Sequence, residues 1–476
     1  MATVAAHHSP LAGLWYPRAA SELADVVGTA LRSSVDRTGA FVRPGGRAFL
    51  VPHAAPAYCG AVAASVYRHV QATRAARVAI LGFSHRHAVE GIAIPEVECI
   101  ETPLGGIRID RAAADSLAAT EPFRYVPEPS VCDHSVEIQI PFLQSCTPAA
   151  TLVPLYVGRL TAGQRSTAAQ ALRGLWDSGT VLIASSDLTH YGRDFGYLPF
   201  PLNSSTARNL RALDATVLSA AGSLDEALFH DALRRTGATV CGAEPIRLLL
   251  ETLAGLAGET YQETLDYETS GALARDYEHS VGYAAVGYFP PSAYHLDAAD
   301  RAALLAAARY TLDHHRRTAE APAAHPATES GALGQRGRAF VSLSTRGELR
   351  GCTGHFDNPQ PLAECVPRLT LAAAYDDHRF APVSRNEEVE IEIHVLSPPR
   401  RIADPGRLLI GEHGGFLKSG VHRELLLHAV ATTHHLSHAQ FLEALAHKAG
   451  VPESVYASGD GELSIFRDQV FSEREA

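Results

Sequence analysis

Histidines that follow short apolar runs are the residues in this sequence best placed for chemistry. Arg47-Ala-Phe-Leu-Val51 runs into Pro52-His53, Arg77-Val-Ala-Ile-Leu81 into Gly82-Phe83-Ser84-His85, and Thr180-Val-Leu-Ile-Ala184 into Ser185-Ser186-Asp187-Leu188-Thr189-His190. If the runs are strands of one open α/β sheet, all three histidines reach its carboxyl edge, where such sheets bind ligands. Neutral imidazole is the commonest metal ligand in proteins. Three imidazoles delivered by separate rigid strands are therefore a way to build a metal site. A strand-end histidine taken singly is as well explained as a hydrogen-bonded cap. No short motif of the His-Glu-x-x-His kind settles the matter.

Further segments carry chemistry-bearing side chains. In Asp133-His134-Ser-Val-Glu137 the imidazole and the carboxylate are three apart and share a face if the segment is helical. Thr236-Gly-Ala-Thr-Val-Cys241-Gly242 presents a thiol in a glycine-flanked loop, a ligand or a small buried hydrophobe. Glu348-Leu-Arg350-Gly351-Cys352-Thr-Gly354 is a glycine-rich turn with a cation and a thiol. His428, His434, His435 and His438 are read as a wet helix face rather than as ligands.

Several elements must position these groups. Apolar runs at 47–51, 77–81, 151–157 and 180–184, with a helix over 60–70, predict an α/β domain with a mainly parallel sheet covered on both faces. Further along, Val389-Glu-Ile-Glu-Ile-His-Val395 alternates with period two, a strand with one wet face. Helices surround it, so the second part reads as α+β. Asp297 is a plausible N-cap for a helix running to Arg317, with Leu304, Ala307, Ala308 and Leu312 on one face. Pro290-Pro291 places the boundary near 292, giving domains 1–292 and 293–476. Residues 318–338 read as a loop inside the second domain. No internal repeat is evident.

With 476 residues the chain is too long for one core. Hydrophobic residues make up 46% and charged residues 20%, an ordinary globular balance. The net charge of −11 argues against nucleic acid as a partner. No apolar run reaches the roughly 18 residues of a spanning helix, so no membrane is expected. The start of the chain lacks the pattern of a signal peptide, and the seven cysteines are scattered, so a reduced, cytoplasmic setting is expected.

The segments Gly13-Leu-Trp15-Tyr16-Pro17, Pro52-His53-Ala54, Tyr58-Cys59-Gly60, Gly82-Phe83-Ser84-His85, Asp133-His134-Ser135-Val136-Glu137, Ser185-Ser186-Asp187 with His190, and Cys241-Gly242 occur in the order seen in the Memo family. Over residues 10 to 290 the chain resembles that family. The resemblance implies a fold similar to class III extradiol dioxygenases, which hold iron(II) with two histidines and a carboxylate. It also implies His53, His85 and Cys241 as metal ligands and His190 as acid/base with Asp187 beside it. His134 and Glu137 are expected at the substrate or behind the ligands. Sulfur in place of the third carboxylate also suits zinc or copper, so the divalent metal stays open, iron(II) leading. The reaction implied is oxidation of an aromatic or otherwise chelating small molecule. A metal- or peptide-binding module without catalysis and a zinc hydrolase are the alternatives.

From about 296 to 470 the sequence resembles the AMMECR family. The matching segments are Arg350-Gly-Cys352-Thr-Gly354, Asp377-His-Arg-Phe-Ala-Pro382, Val395-Leu-Ser-Pro-Pro399 and Gly411-Glu-His-Gly-Gly415. It departs from the family at Leu427-His-Ala-Val-Ala431. Memo-like and AMMECR-like proteins are linked with a radical SAM protein, which the resemblance offers as a partner. Their fusion raises two expectations for the Arg350-Gly351-Cys352 loop: it faces the metal edge, with Arg350 holding an anionic substrate group and Cys352 nearby, or Arg350 only braces its own strand turn.

Overall fold

The computed structural model describes residues 6–322 and 331–474. Part of the expected 318–338 loop, residues 323–330, lies outside the described residues. The chain divides into two compact units: Met1–Thr38 with Val42–Ala293, and Gly39–Phe41 with Tyr294–Ala476.

Among the described residues the first unit carries twelve strands: β1 (His7–His8), β2 (Ala48–Val51), β3 (Arg77–Gly82), β4 (Ile92–Pro95), β5 (Cys99–Thr102), β6 (Gly105–Arg108), β7 (Phe123–Val126), β8 (Thr151–Val157), β9 (Thr180–Ser185), β10 (His190–Gly192), β11 (Tyr261–Thr269) and β12 (His279–Phe289). A nine-stranded sheet runs β10-β12-β2-β9-β3-β8-β4-β7, with β11 on β12; β1, β5 and β6 form a small second sheet. The large sheet is mixed rather than mainly parallel. β2, β9, β3 and β8 are parallel neighbours, whereas β12 runs against β2 and β4 against β8. The expectation drew on the four central apolar runs alone. An apolar run shows that both faces of a strand are buried but not which way its neighbour points.

The parallel centre is what places the site. β2 and β9 are buried along their whole length, and β2, β3 and β9 all end at one edge. Beyond β2 the chain turns at His53 into the helix Pro56–Thr73, which starts on a proline whose missing N–H costs nothing there. The helix Ala243–Ala254 packs against β9, so its start, Cys241-Gly242, lies at the end of that strand. Gly242 permits this approach: a Cβ there would stand 2.5 Å from the Ser186 Cβ and 2.6 Å from the Ser185 carbonyl oxygen.

The second unit is β-rich. Strands β13 (Arg336–Thr345), β14 (Glu348–Pro361), β15 (Glu390–Leu396) and β20 (Asp468–Ser472) form one antiparallel sheet, and β16 (Arg400–Ile402), β17 (Gly414–Ser419), β18 (His422–Leu426) and β19 (Glu462–Phe466) another. Alternation in β15 puts Ile391, Ile393 and Val395 into the core with the helices Ala298–Thr318 and Leu362–Tyr375. Asp297 caps the first of these, its side chain accepting the Asp300 N–H.

Candidate metal centre

His53, His85 and Cys241 meet at the carboxyl edge of the parallel strands. One ligand atom from each lies within 4.8 Å of the others. The His53 Nε2 stands 3.2 Å from Cys241 Sγ, and the His53 and His85 rings are 5.3 Å apart and perpendicular. Bond lengths of roughly 2.0–2.1 Å to nitrogen and 2.3 Å to sulfur set donor separations of about 3.3–3.6 Å around a tetrahedral ion. The spacing and the donor types therefore fit a divalent cation.

The three donors are held by different means. His53 is buried; its N–H donates to Asp187 Oδ1 at 2.8 Å and its Nδ1 lies 3.2 Å from Ser185 Oγ. Behind Ser185 runs a buried chain. Gln139 Nε2 donates to Ser185 Oγ and to the Pro52 carbonyl, and the Tyr67 hydroxyl donates to Gln139 Oε1 at 2.8 Å. Burial, with the charge of His85 next, pushes the His53 pKa down to about 3, so the ring is neutral and able to bind a cation at ordinary pH. His85 sits in the loop after β3, its Nδ1 2.9 Å from Asp133 Oδ1. Cys241 Sγ accepts the Asp187 N–H at 3.3 Å. Burial, reinforced by the Asp187 carboxylate, raises the Cys241 thiol well above its usual range. A cation at the thiol reverses that preference.

A cavity of about 430 Å³ is lined by His53 and His85; Cys241 lies behind them and is not part of its wall. His134 lines it, stacked on His85 at 4.1 Å and beneath Trp15 at 4.4 Å. His190 lines it too. The His190 Nδ1 lies 3.0 Å from the Leu188 carbonyl and 3.1 Å from the Thr239 carbonyl. Carbonyls only accept, so Nδ1 carries a proton, and in the neutral ring Nε2 is the bare nitrogen. Asp187 also lines the cavity, but the bonds that fix His190 come from those carbonyls, whereas the Asp187 carboxylate takes the His53 N–H. Leu14, Tyr58, Phe195, Val281 and Tyr283 supply the apolar wall, and no lysine or arginine lines the cavity among the described residues.

Glu137, Arg350 and Cys352 are engaged with partners in their own units. Glu137 is buried and directed at His7, with 3.2 Å between Oε1 and the His7 Nε2, and is not part of the cavity wall. In the second unit Arg350 is paired with Glu387 at 2.6 Å and donates to the Pro382 carbonyl. Cys352 accepts the Ser342 hydroxyl at 3.4 Å, and its N–H donates to Asp377. The four histidines of 428–438 do not converge: His428 pairs with Asp468, His438 meets the Pro405 carbonyl, and His434 and His435 are exposed. Reasoning from the sequence gave no role to Asp133, Gln139, Ser185 or Trp15. Asp133 carried a local signal as an N-cap residue before a helical turn, and Trp15 and Ser185 stood in segments shared with the Memo family.

A sequence profile described as Memo-like protein matches residues 7–287, and one described as AMMECR1 matches residues 305–471. The Protein memo-1 homolog of Caenorhabditis elegans is 31% identical over 248 residues, covering 50% of this chain and 71% of that protein. Protein MEMO1 of Homo sapiens is 28% identical over 284 residues, covering 58% of this chain and 94% of that protein. Among solved structures, an uncharacterized protein from Pyrococcus horikoshii aligns with a TM-score of 0.34 and 26% identity, over 36% of this chain and 89% of its own. An uncharacterized protein from Escherichia coli K12 aligns with a TM-score of 0.35 and 14% identity, over 50% of this chain and 98% of its own.

Proposed function

The chain belongs to the Memo family, its Memo-like domain fused to an AMMECR1 domain, and from that premise we propose that the first unit is a metal-dependent enzyme that oxidises a chelating, aromatic small molecule in the manner of class III extradiol dioxygenases. The observation that supports this reading is the convergence of His53, His85 and Cys241, with His53 and His85 lining the same cavity as His190.

In this reading the His53 Nε2, His85 Nε2 and Cys241 Sγ hold the cation. Iron(II) there supplies Lewis acidity and a redox couple for oxygen. His190 accepts a proton from a ligand hydroxyl at Nε2, and its fixed Nδ1–H keeps that nitrogen aimed into the cavity. Trp15, Tyr58, Phe195 and Tyr283 pack against a flat ring and exclude water. The alternative of a phosphorylated or acidic peptide meets a wall without a permanent cation.

Cys241 supports a second reading. Thiolate suits zinc as well as iron, and zinc would direct the same cavity to hydrolysis with an activated water. Metal analysis of anaerobically purified protein, followed by oxygen uptake with simple catechols, separates the two. Iron with catechol-dependent uptake is the expected result; zinc without uptake sinks the oxidative reading. His53→Ala with His85→Ala is expected to abolish stoichiometric metal binding in a folded protein. If the double variant still takes up one ion per chain with the parent's affinity, the site is misassigned.

A further inference from the structure

We propose that Asp133 is the positioning residue of the metal centre: it fixes which nitrogen of His85 is bare and where that nitrogen points. The inference rests on the metal-binding reading of His53, His85 and Cys241.

Asp133 is buried and caps the one-turn helix His134–Glu137, its Oδ1 accepting the Ser135 N–H at 3.0 Å. The same carboxylate reaches across to the loop after β3. Its Oδ1 lies 2.9 Å from His85 Nδ1, and its Oδ2 accepts the His85 backbone N–H at 3.0 Å. An ionised carboxylate only accepts hydrogen bonds, so the His85 ring must donate from Nδ1. In the neutral ring Nε2 is then the nitrogen without a proton, as a ligand nitrogen must be.

The neighbouring residue completes the grip. Ser135 Oγ accepts the Phe83 N–H at 3.0 Å and donates to the Phe83 carbonyl at 2.5 Å. Four hydrogen bonds thus tie two residues of the capping turn, Asp133 and Ser135, to Phe83 and His85. Gly82 lets the turn come this close, because a Cβ there would meet Val136 Cγ2 at 2.6 Å and Ser135 Oγ at 2.7 Å. The His134 ring, stacked on His85 at 4.1 Å and 20°, closes the other side.

One alternative is that Asp133 is itself a ligand, since it also lies within 4.8 Å of donor atoms of His85 and His134. Both of its oxygens are already engaged, by three hydrogen bonds and by the His134 Nδ1 at 3.3 Å. A cation at Asp133 would compete with the bonds that shape the loop. A carboxylate behind a ligating histidine orients the ring and sets its tautomer, and losing it lowers metal affinity roughly 10–100-fold.

Asp133→Asn tests this. The amide keeps one acceptor but puts an NH2 where the second must be. Three readouts apply: cobalt(II) affinity by competition with a chromophoric chelator, the thiolate-to-cobalt charge-transfer band at saturation, and nitrogen-15 spectra of the metal-free, histidine-labelled protein with His85→Gln as the assignment control. The expected result is affinity lower by about 10–100-fold, a charge-transfer band that persists, and a His85 ring that leaves the pure Nδ1–H form. A wild-type His85 protonated on Nε2 overturns the proposal without any variant, which covers the case of a variant that does not fold. Unchanged affinity and tautomer in folded Asp133→Asn also overturn it, as does loss of cobalt binding altogether, which would make Asp133 a ligand. A wild-type protein that binds no cobalt, while the tautomer responds as expected, removes the metal-centre reading and leaves the positioning role standing.

Discussion

What a histidine does here depends on the partner of its second nitrogen. His85 faces a carboxylate, His190 two carbonyls and His53 a serine hydroxyl that can give or take a proton. In the second unit His394 has carboxylates on both sides: Nδ1 is 2.9 Å from Asp468 and Nε2 3.0 Å from Glu392. Burial alone would lower its pKa, but the bonds to Asp468 and Glu392 prevail and raise it to about 9. The folded value lies above the unfolded 6.5, so the stabilisation is fully present below about pH 6.5 and is lost as pH rises through about 9. The second unit should lose on the order of 1–3 kcal/mol across that window, and His394→Gln should flatten the profile. Thermal denaturation followed across that range checks it; a wild-type curve as flat as the variant's would exclude a charged His394. The strand-end positions of His53, His85 and His190 were legible because an apolar run followed by a histidine is a local pattern. Their partners were not. Asp133 lies 48 residues from His85, and the carbonyls of Leu188 and Thr239 that hold His190 leave no mark in side-chain types.

At the level of elements, the strands that matter to the site were readable and the sheet's edges were not. β2, β3 and β9 are continuous apolar runs, whereas β11 is half-buried along most of its length and β10 is three residues long. A three-residue strand is too short to show period-two alternation, β11 shows no regular alternation of buried and exposed positions, and the antiparallel pairing of both comes from long-range packing. The segment from β1 to Tyr16 is another element whose role needed the structure. It carries Leu14 and Trp15 to the cavity, and it is attached by the pairing of β1 with β5 and by the buried imidazole of His7 between Glu128 at 2.5 Å and Glu137 at 3.2 Å. The Tyr16 hydroxyl adds a bond to Ser9 at 3.0 Å. His7→Ala leaves Glu137 buried without an imidazole partner, a loss of about 2–4 kcal/mol. The segment should then loosen and move Trp15 into water. In a Trp176→Phe background, where Trp15 is the sole tryptophan, its emission should shift to the red and the melting temperature should fall. Emission identical to the parent's would mean that His7 does not fasten the wall of the cavity.

For the whole molecule, the question is whether each unit needs the other to fold. The second unit's cores are self-contained: the residues of its main cluster run from Leu296 to Phe471, and those of the next from Ile402 to Ile465. Its first helix is capped by its own Asp297, and Leu296 is bonded at both backbone groups to Gln469 near the far end of the chain. Chain closure of that kind fixes the ends of a domain within the domain. In the first unit the ligand-bearing strands and the cavity lining lie between Leu14 and Tyr283. Expressing residues 1–292 and 293–476 separately should therefore give two soluble pieces, each with a cooperative thermal transition. The piece 1–292 should bind metal with the affinity of the full chain, because every proposed ligand and the Asp133 turn that orients His85 are within it. Calorimetry of both pieces and of the intact protein checks the first expectation, and metal competition the second. Insolubility of both halves would show a shared core and undo the boundary. A soluble first piece with markedly weaker metal binding would show that the centre depends on the AMMECR1 domain, and that fusion serves the site itself.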